Sequence, residues 1–410
     1  MNCGGEEAAD GNRVKIQGQA NMVKTGLDIV RDSPDCLERF GSLGLLYNQA
    51  SIDSNLSLAP LVVESVLPGR LKALFGPQHG VGLTEQDNMI ESGHVIHKKL
   101  NIPIYSLYEA SRRPSPHMLK DLDAVLVDIQ DVGTRVYTFA TTALYLMQAC
   151  ADLQKTVVIL DRPNPINGQD VEGNVLDSAF SSFVGPYPIP MRHGMTLGEL
   201  MLYYNSKYGI DCDLEIIRMK GWVRDQYFDE TGLNWAMPSP NMPTVDTAIV
   251  YPGQVLFEGT KVSEGRGTTR PFEIFGAPYF DIDDISSKLE SDCLRGAILR
   301  EVTFTPTFNK YANTPCNGFQ IHVTDRRQFK PYLASMAIIS AIVKAHGQNF
   351  ELYDGPYEYV FDKRPIDVII GDKSVSDWIL SGKSISKLQQ SWSERLNNFV
   401  RERAEFLLYD

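Results

Sequence analysis

From residue 43 onward, short apolar runs alternate with segments whose apolar residues recur every three or four positions. The runs are LGLLYNQ (43–49), LKALFGP (71–77), IPIYSLY (102–108), AVLVDIQ (124–130), TVVILD (156–161) and DLEIIRM (213–219). Between them, LAPLVVESVL, SPHMLKDL, TFATTALYLMQACADL and TLGELMLYYNSKYG carry the helical interval. Strands that are apolar throughout, rather than at alternate positions, belong to a parallel sheet covered on both faces. The pattern predicts an α/β fold: a Rossmann-like, doubly wound, mostly parallel sheet. The segment 235–278 is rich in Pro and Gly but long and specific, which suits a crossing region better than a loose linker. A mixed run follows, with a helix near 283–291, strands near 299–305 and 318–324, a helix at 329–345 and a helical end. This is read as a second, smaller α+β domain. The division expected is a flexible tether over 1–19, a Rossmann-like catalytic domain over 20–265, and an auxiliary domain over 266–410 that closes a cleft.

Each predicted strand ends in polar groups: Asn48 and Gln49, Gln78 and His79, Asp128 and Gln130, then Asp161, Arg162 and Asn164. One polar tip is only a chain leaving the core. Several tips on one edge of a doubly wound sheet make a ligand cleft, because ligands bind beyond the carboxyl ends of the strands. Local structural roles compete at several positions. Asp128 or Asp131 suits a turn before the helix at 138, and Thr196 with Glu199 forms a T-x-x-E capping box. Trp222 and Trp235 suit core packing.

Composition narrows the chemistry. Of 410 residues, 43% are hydrophobic and 22% charged, the balance of a folded domain protein. The net charge of −12 argues against nucleic acid or an anionic membrane as partner. No apolar run reaches the roughly 18 residues of a membrane helix. The six cysteines are scattered, with no C-x-x-C, and Cys150 reads as a core residue. The seven histidines show no metal spacing; His94 and His97 are close together with no marked further ligand. The start, MNCGGEEAADGNRVKIQ, lacks the features of a signal peptide. It reads as a tether, while a Cys followed by Gly-Gly and an acidic spacer also suits a lipoprotein.

The glycine-rich pieces FGPQHGVG and SEGRGTT match no phosphate loop, and no Ser sits in G-x-S-x-G. Carboxylates are the best-supplied catalytic class: Glu85, Asp87 and Glu91 lie near His79, with Asp128, Asp161, Glu172, Glu258 and Glu264 elsewhere. Paired carboxylates suit glycoside cleavage, one protonating the leaving oxygen while the other activates water or stabilises the cation-like transition state.

The ordered segments FGPQHG, DNMIES, VLVDIQDVGTRVYTF, LDRPNPINGQDVEGN, RHGMTLGEL, MKGW, PSPNMPT, YPGQVLFEGT and SEGRGTTRPFE make the chain similar to the exo-β-N-acetylmuramidases of glycoside hydrolase family 171. The resemblance runs from about residue 20 to the C-terminus and is densest at 71–278. It implies release of terminal, non-reducing N-acetylmuramic acid from peptidoglycan fragments or muropeptides, with no cofactor. It matches the family's catalytic glutamate to Glu91, with Glu85 as fallback, and Asp128 is the candidate second carboxylate. Many members have Glu where this chain has Gln78. For the lactyl carboxylate, bidentate Arg is the natural partner, and Arg135, Arg162 and Arg266 are candidates. His79, Gln130, Asp161, Asn164, His193, Asn241 and Glu264 complete the expected substrate-binding set. A hydrolase for another amino sugar and a non-catalytic cell-wall glycan binder are the alternatives. Location stays open between the cell envelope, to which the substrate class points, and the cytoplasm.

Overall fold

The computed structural model describes residues 22–82, 90, 93, 95–108 and 112–410. Its first strands are β1 (Leu43–Tyr47), β2 (Leu71–Gly76), β3 (Val95–Ile96), β4 (Pro103–Ser106), β5 (Ala124–Asp128) and β6 (Thr156–Leu160). A two-stranded hairpin, β7 (Glu172–Val175) and β8 (Pro190–Arg192), interrupts them before β9 (Leu214–Ile217) returns. The main sheet has the order β3-β4-β2-β1-β5-β6-β9. All its pairs are parallel except β3 with β4. Chain progress reverses direction between β1 and β5, the switch point at which a doubly wound sheet opens a crevice.

Alternate residues of one strand feed two separate cores, which is why the strands are apolar throughout. On β5, Ala124 and Leu126 join Val30, Val62 and Val63 on one face. Val125 and Val127 join Leu144, Met147 and Met201 on the other. The first face is covered by helices Gly26–Asp32 and Ala59–Val66, the second by Thr138–Asp152 and Leu197–Lys207. The expected capping box is present at Thr196: its hydroxyl accepts from Glu199 N, and its own N–H donates to the Glu199 carboxylate at 3.0 Å. Trp222 is buried, and Trp235 packs edge-on against Phe228.

A smaller unit is built on β10 (Ile274–Ala277), β11 (Ala297–Phe304) and β12 (Cys316–Val323), antiparallel in the order β10-β12-β11. Burial nearly alternates along β11, as expected where one face meets solvent. Helix Pro331–His346 packs against helix Val245–Gln254 and is buried over its first three turns. The crossing region expected at 235–278 contains helix Val245–Gln254 and β10. Pro252 and Gly253 end that helix and let it tighten into a 3-10 turn, Val255–Gly259. Gly253 is needed for packing: a Cβ there would lie 1.9 Å from the Pro331 carbonyl oxygen. The five described cysteines are free, and Cys150 is a core residue. No helix among the described residues is long and apolar enough to cross a membrane.

Candidate active site

Parallel pairing brings the carboxyl ends of β1, β2, β5 and β6 to one edge, yet the polar tips there do different things. The β1 tip works as scaffolding. Asn48 donates to the Pro238 carbonyl at 3.0 Å, and Ser51 donates to the Asp128 carbonyl. The first of these bonds fixes the segment that carries Ser239 and Asn241.

Beyond β2 lies a narrow cleft whose free space, about 30 Å³, is on the scale of a water molecule. Its walls come from distant parts of the chain: Gln78 and His79 after β2, Tyr137 and Thr138 at the start of a helix, and Asn241 from the segment held by Asn48. Tyr251, Glu258, Arg266, Tyr357 and Glu358 complete it. The amino end of helix Thr138–Asp152 borders the space without a side-chain cap from Tyr137, so its positive pole faces the cleft. His79 has φ of 69°, a left-handed conformation uncommon outside glycine, and Gly80 follows at 71°. The chain turns back there within the P-Q-H-G sequence.

Among the described residues, two carboxylates face the cleft. Glu258 comes from the 3-10 turn; it receives the Arg266 guanidinium at 2.5 Å and the Tyr357 hydroxyl at 2.5 Å. Burial pulls the Arg266 guanidinium toward neutrality, but Glu258 and Glu264 outweigh it and hold its pKa above the ordinary value. Glu358 comes from the loop after helix Pro331–His346. Gln78 Nε2 donates to it at 3.1 Å and the Tyr108 hydroxyl at 2.7 Å. Burial pushes its pKa up, and the nearby Glu258 charge adds to the shift. Gln78 is oriented from behind by the Thr138 hydroxyl, which donates to its Oε1 at 2.5 Å. In this chain the P-x-H-G position therefore holds another carboxylate in place rather than supplying one.

Of the expected substrate-binding residues, His79, Asn241 and Arg266 line this cleft. Glu91 and Glu85, like Asp87 and His94, lie outside the described residues, as does the 1–19 tether. The other expected residues serve the fold. Asp128 has no exposed surface, and Arg162 bridges both its oxygens at 2.5 and 2.8 Å. A closed pair of this kind satisfies both groups inside the protein and gives no support to Asp128 as second carboxylate or Arg162 as lactyl partner. Arg135 is buried with its terminal nitrogens on the carbonyls of Asn174, Ile189, Ile369 and Ile370. Burial lowers its pKa to about 10. It fastens the hairpin to helix Pro365–Ile370 and is not placed to hold a substrate carboxylate.

Asp161 accepts from the Thr196 and Tyr409 hydroxyls and from Gly198 N, and burial raises its pKa to about 6. Asn164 bonds Met195 and Ile166, and His193 Nδ1 accepts from Met195 N. Gln130 bonds the Asp131 and Pro163 carbonyls beside a second hollow at the switch point, where Asp53 is paired with Arg31 and Arg162 with Asp128. Glu264 sits behind Arg266 and receives Lys310 at 2.7 Å. Most of these polar groups have their partners inside the protein, the usual condition for burial, whereas His193 Nε2 makes no hydrogen bond among the described residues and lies 3.6 Å from the Asp131 carboxylate.

Glu358, Tyr357, Tyr137 and Tyr251 were not anticipated. A lone carboxylate in GPYEYV carries no spacing signal. Only the clustering of aromatics around it, unusual for a solvated loop, marks the stretch in the sequence.

Known proteins share this architecture across both units. The family models described as the N-terminal and C-terminal parts of the exo-beta-N-acetylmuramidase NamZ match residues 43–246 and 249–409. The peptidoglycan beta-N-acetylmuramidase NamZ of Bacillus subtilis (strain 168) is 39% identical over 390 residues, covering 94% of this chain and 91% of that protein. Two crystal structures of DUF1343 family proteins from Bacteroides fragilis match with TM-scores of 0.84 and 0.74. Each is 29% identical and covers 95% of this chain and 99% of its own.

Proposed function

Because the chain belongs to the exo-β-N-acetylmuramidase family, we propose that it is an exo-acting glycoside hydrolase that releases terminal, non-reducing N-acetylmuramic acid from peptidoglycan fragments. The observation that carries this reading is the cleft beyond β2, where Glu258 and Glu358 stand among polar and aromatic side chains. His79 and Asn241 suit hydroxyl and acetamido hydrogen bonds. The lactyl carboxylate is assigned to the positive pole of helix Thr138–Asp152, because Arg266 is already paired with Glu258 and Glu264. Glu91 follows β2 by fifteen residues of numbering and is the proton donor on the family resemblance.

The test is hydrolysis of a chromogenic β-N-acetylmuramide. Glu91→Gln is expected to lower kcat at least about a hundredfold, the scale of a lost general acid. Near-full activity of that variant rejects Glu91 as donor. Equal turnover of the corresponding N-acetylglucosaminide, which lacks the lactyl group, points to another amino sugar as substrate. Tight muropeptide binding with no sugar released points to a glycan-binding protein.

A further inference from the structure

Hydrolysis of a glycoside needs a group to take a proton from water as well as one to give a proton to the leaving oxygen. With Asp128 sealed against Arg162, the acceptor has to be sought in the cleft. Two described carboxylates stand there, and their surroundings differ. Glu258 is closed into an ion pair with the guanidinium of Arg266 and also accepts from the Tyr357 hydroxyl. Among the described residues, the hydrogen bonds to Glu358 come from neutral donors, the Gln78 amide and the Tyr108 hydroxyl, while the Arg112 and Glu258 charges act on it in opposite directions. The neutral donors orient it without cancelling its charge, and each of its oxygens keeps a lone pair for a further hydrogen bond.

The backbone gives an independent sign. Glu358 and Tyr359 are consecutive non-glycine residues with φ of 46° and 66°. Such positions cost about 1–3 kcal/mol each and persist where the surroundings enforce them, most often at functional sites. Here the enforcement is visible. The Arg112 guanidinium lies 3.9 Å from the centre of the Tyr359 ring, Tyr108 meets the same ring edge-on, and Tyr357 and Val360 exchange backbone hydrogen bonds across the turn. The turn presents Glu358 to the cleft although a relaxed loop would turn it to solvent.

Resting on the hydrolase reading, we infer that Glu358 is the general base, the carboxylate that takes the proton from the water attacking the anomeric carbon. The water oxygen bonds to that carbon as one of its protons passes to Glu358. The glycosidic bond breaks, its electron pair stays on the leaving oxygen, and that oxygen receives the proton of Glu91. Exchange with solvent then restores both carboxyl groups. A single displacement of this kind inverts the configuration, so a β-linked substrate gives the α-sugar first.

The experiment uses the full chain and the chromogenic β-N-acetylmuramide. Glu358→Gln is expected to melt within a few degrees of wild type and to lose at least about a hundredfold in kcat. The acid limb of its kcat/KM profile should vanish. Azide, a nucleophile that needs no base, should restore turnover at least tenfold and yield the α-azide. Tyr108→Phe removes a hydrogen bond to the ionised form and is expected to move the acid limb to higher pH; it serves as the deciding variant if Glu358→Gln does not fold. The inference is overturned by a Glu358→Gln enzyme within about fivefold of wild type, by an unmoved acid limb in Tyr108→Phe, or by first release of the β-sugar. A wild-type chain inert toward the substrate overturns the hydrolase reading as well, whereas an active wild type with an active Glu358→Gln variant overturns this inference alone.

Discussion

Asp128 and Glu358 are both buried carboxylates, and their partners set them to different work. Asp128 answers a guanidinium at the end of a central strand. Removing one member of a buried pair leaves the other charge uncompensated, at a cost of about 3–5 kcal/mol. Asp128→Asn is therefore expected to lower unfolding free energy by that amount in urea titrations, while kcat of the folded fraction stays within a few-fold of wild type. A loss of kcat without loss of stability would return Asp128 to the catalytic set. The polar tip of residues 124–130 was legible as a departure from the core pattern. Whether its charges face a cavity or one another was not, because Arg162 closes the pair from the next strand over. Glu358 was hard to read for the opposite reason: apart from the aromatics around it nothing in the sequence marks it, and Gln78 stands 280 positions away.

At the scale of elements, the apolar runs located all six parallel strands, since continuous burial on two faces writes itself into continuous apolarity. The four intervening helices followed from their three- and four-residue spacing. Elements stabilised by tertiary contact escaped. The edge strand β3 has two residues, and the hairpin strands EGNV and PMR are too short and too polar to show a period. Helix Val245–Gln254 was hidden by its own Pro252 and Gly253, which read as breakers. Both breakers serve packing, because the helix meets Pro331–His346 at the glycine. Gly253→Ala would force a methyl group into the Pro331 carbonyl. It is expected to cost about 1–3 kcal/mol, the scale of core overpacking, read as a lower melting temperature. Activity should fall too, because the same helix leads into the turn that bears Glu258.

At the scale of the molecule, the two units are joined by buried polar contacts whose strength depends on pH. Glu172 on β7 accepts from Leu333 N at the start of helix Pro331–His346, and Tyr332 donates to Asn174 at 2.6 Å. Burial raises the Glu172 pKa to about 7 from an ordinary 4.5. The folded state then binds a proton more tightly than the unfolded chain, so stability falls as pH rises from about 4.5 to 7, by up to about 3 kcal/mol. Glu172→Gln carries no charge to bury; its melting temperature should match wild type at pH 4.5 and exceed it at pH 8, and equal values at pH 8 would contradict this. The bond from Gln78 to Glu358 has a further consequence in time. A chain emerging from the ribosome can lay down its parallel sheet long before residue 358 exists, and through that interval the nascent polypeptide has no complete catalytic apparatus. Enzymatic output therefore registers finished synthesis and assembly, and truncation before residue 357 should leave a partly structured but silent fragment.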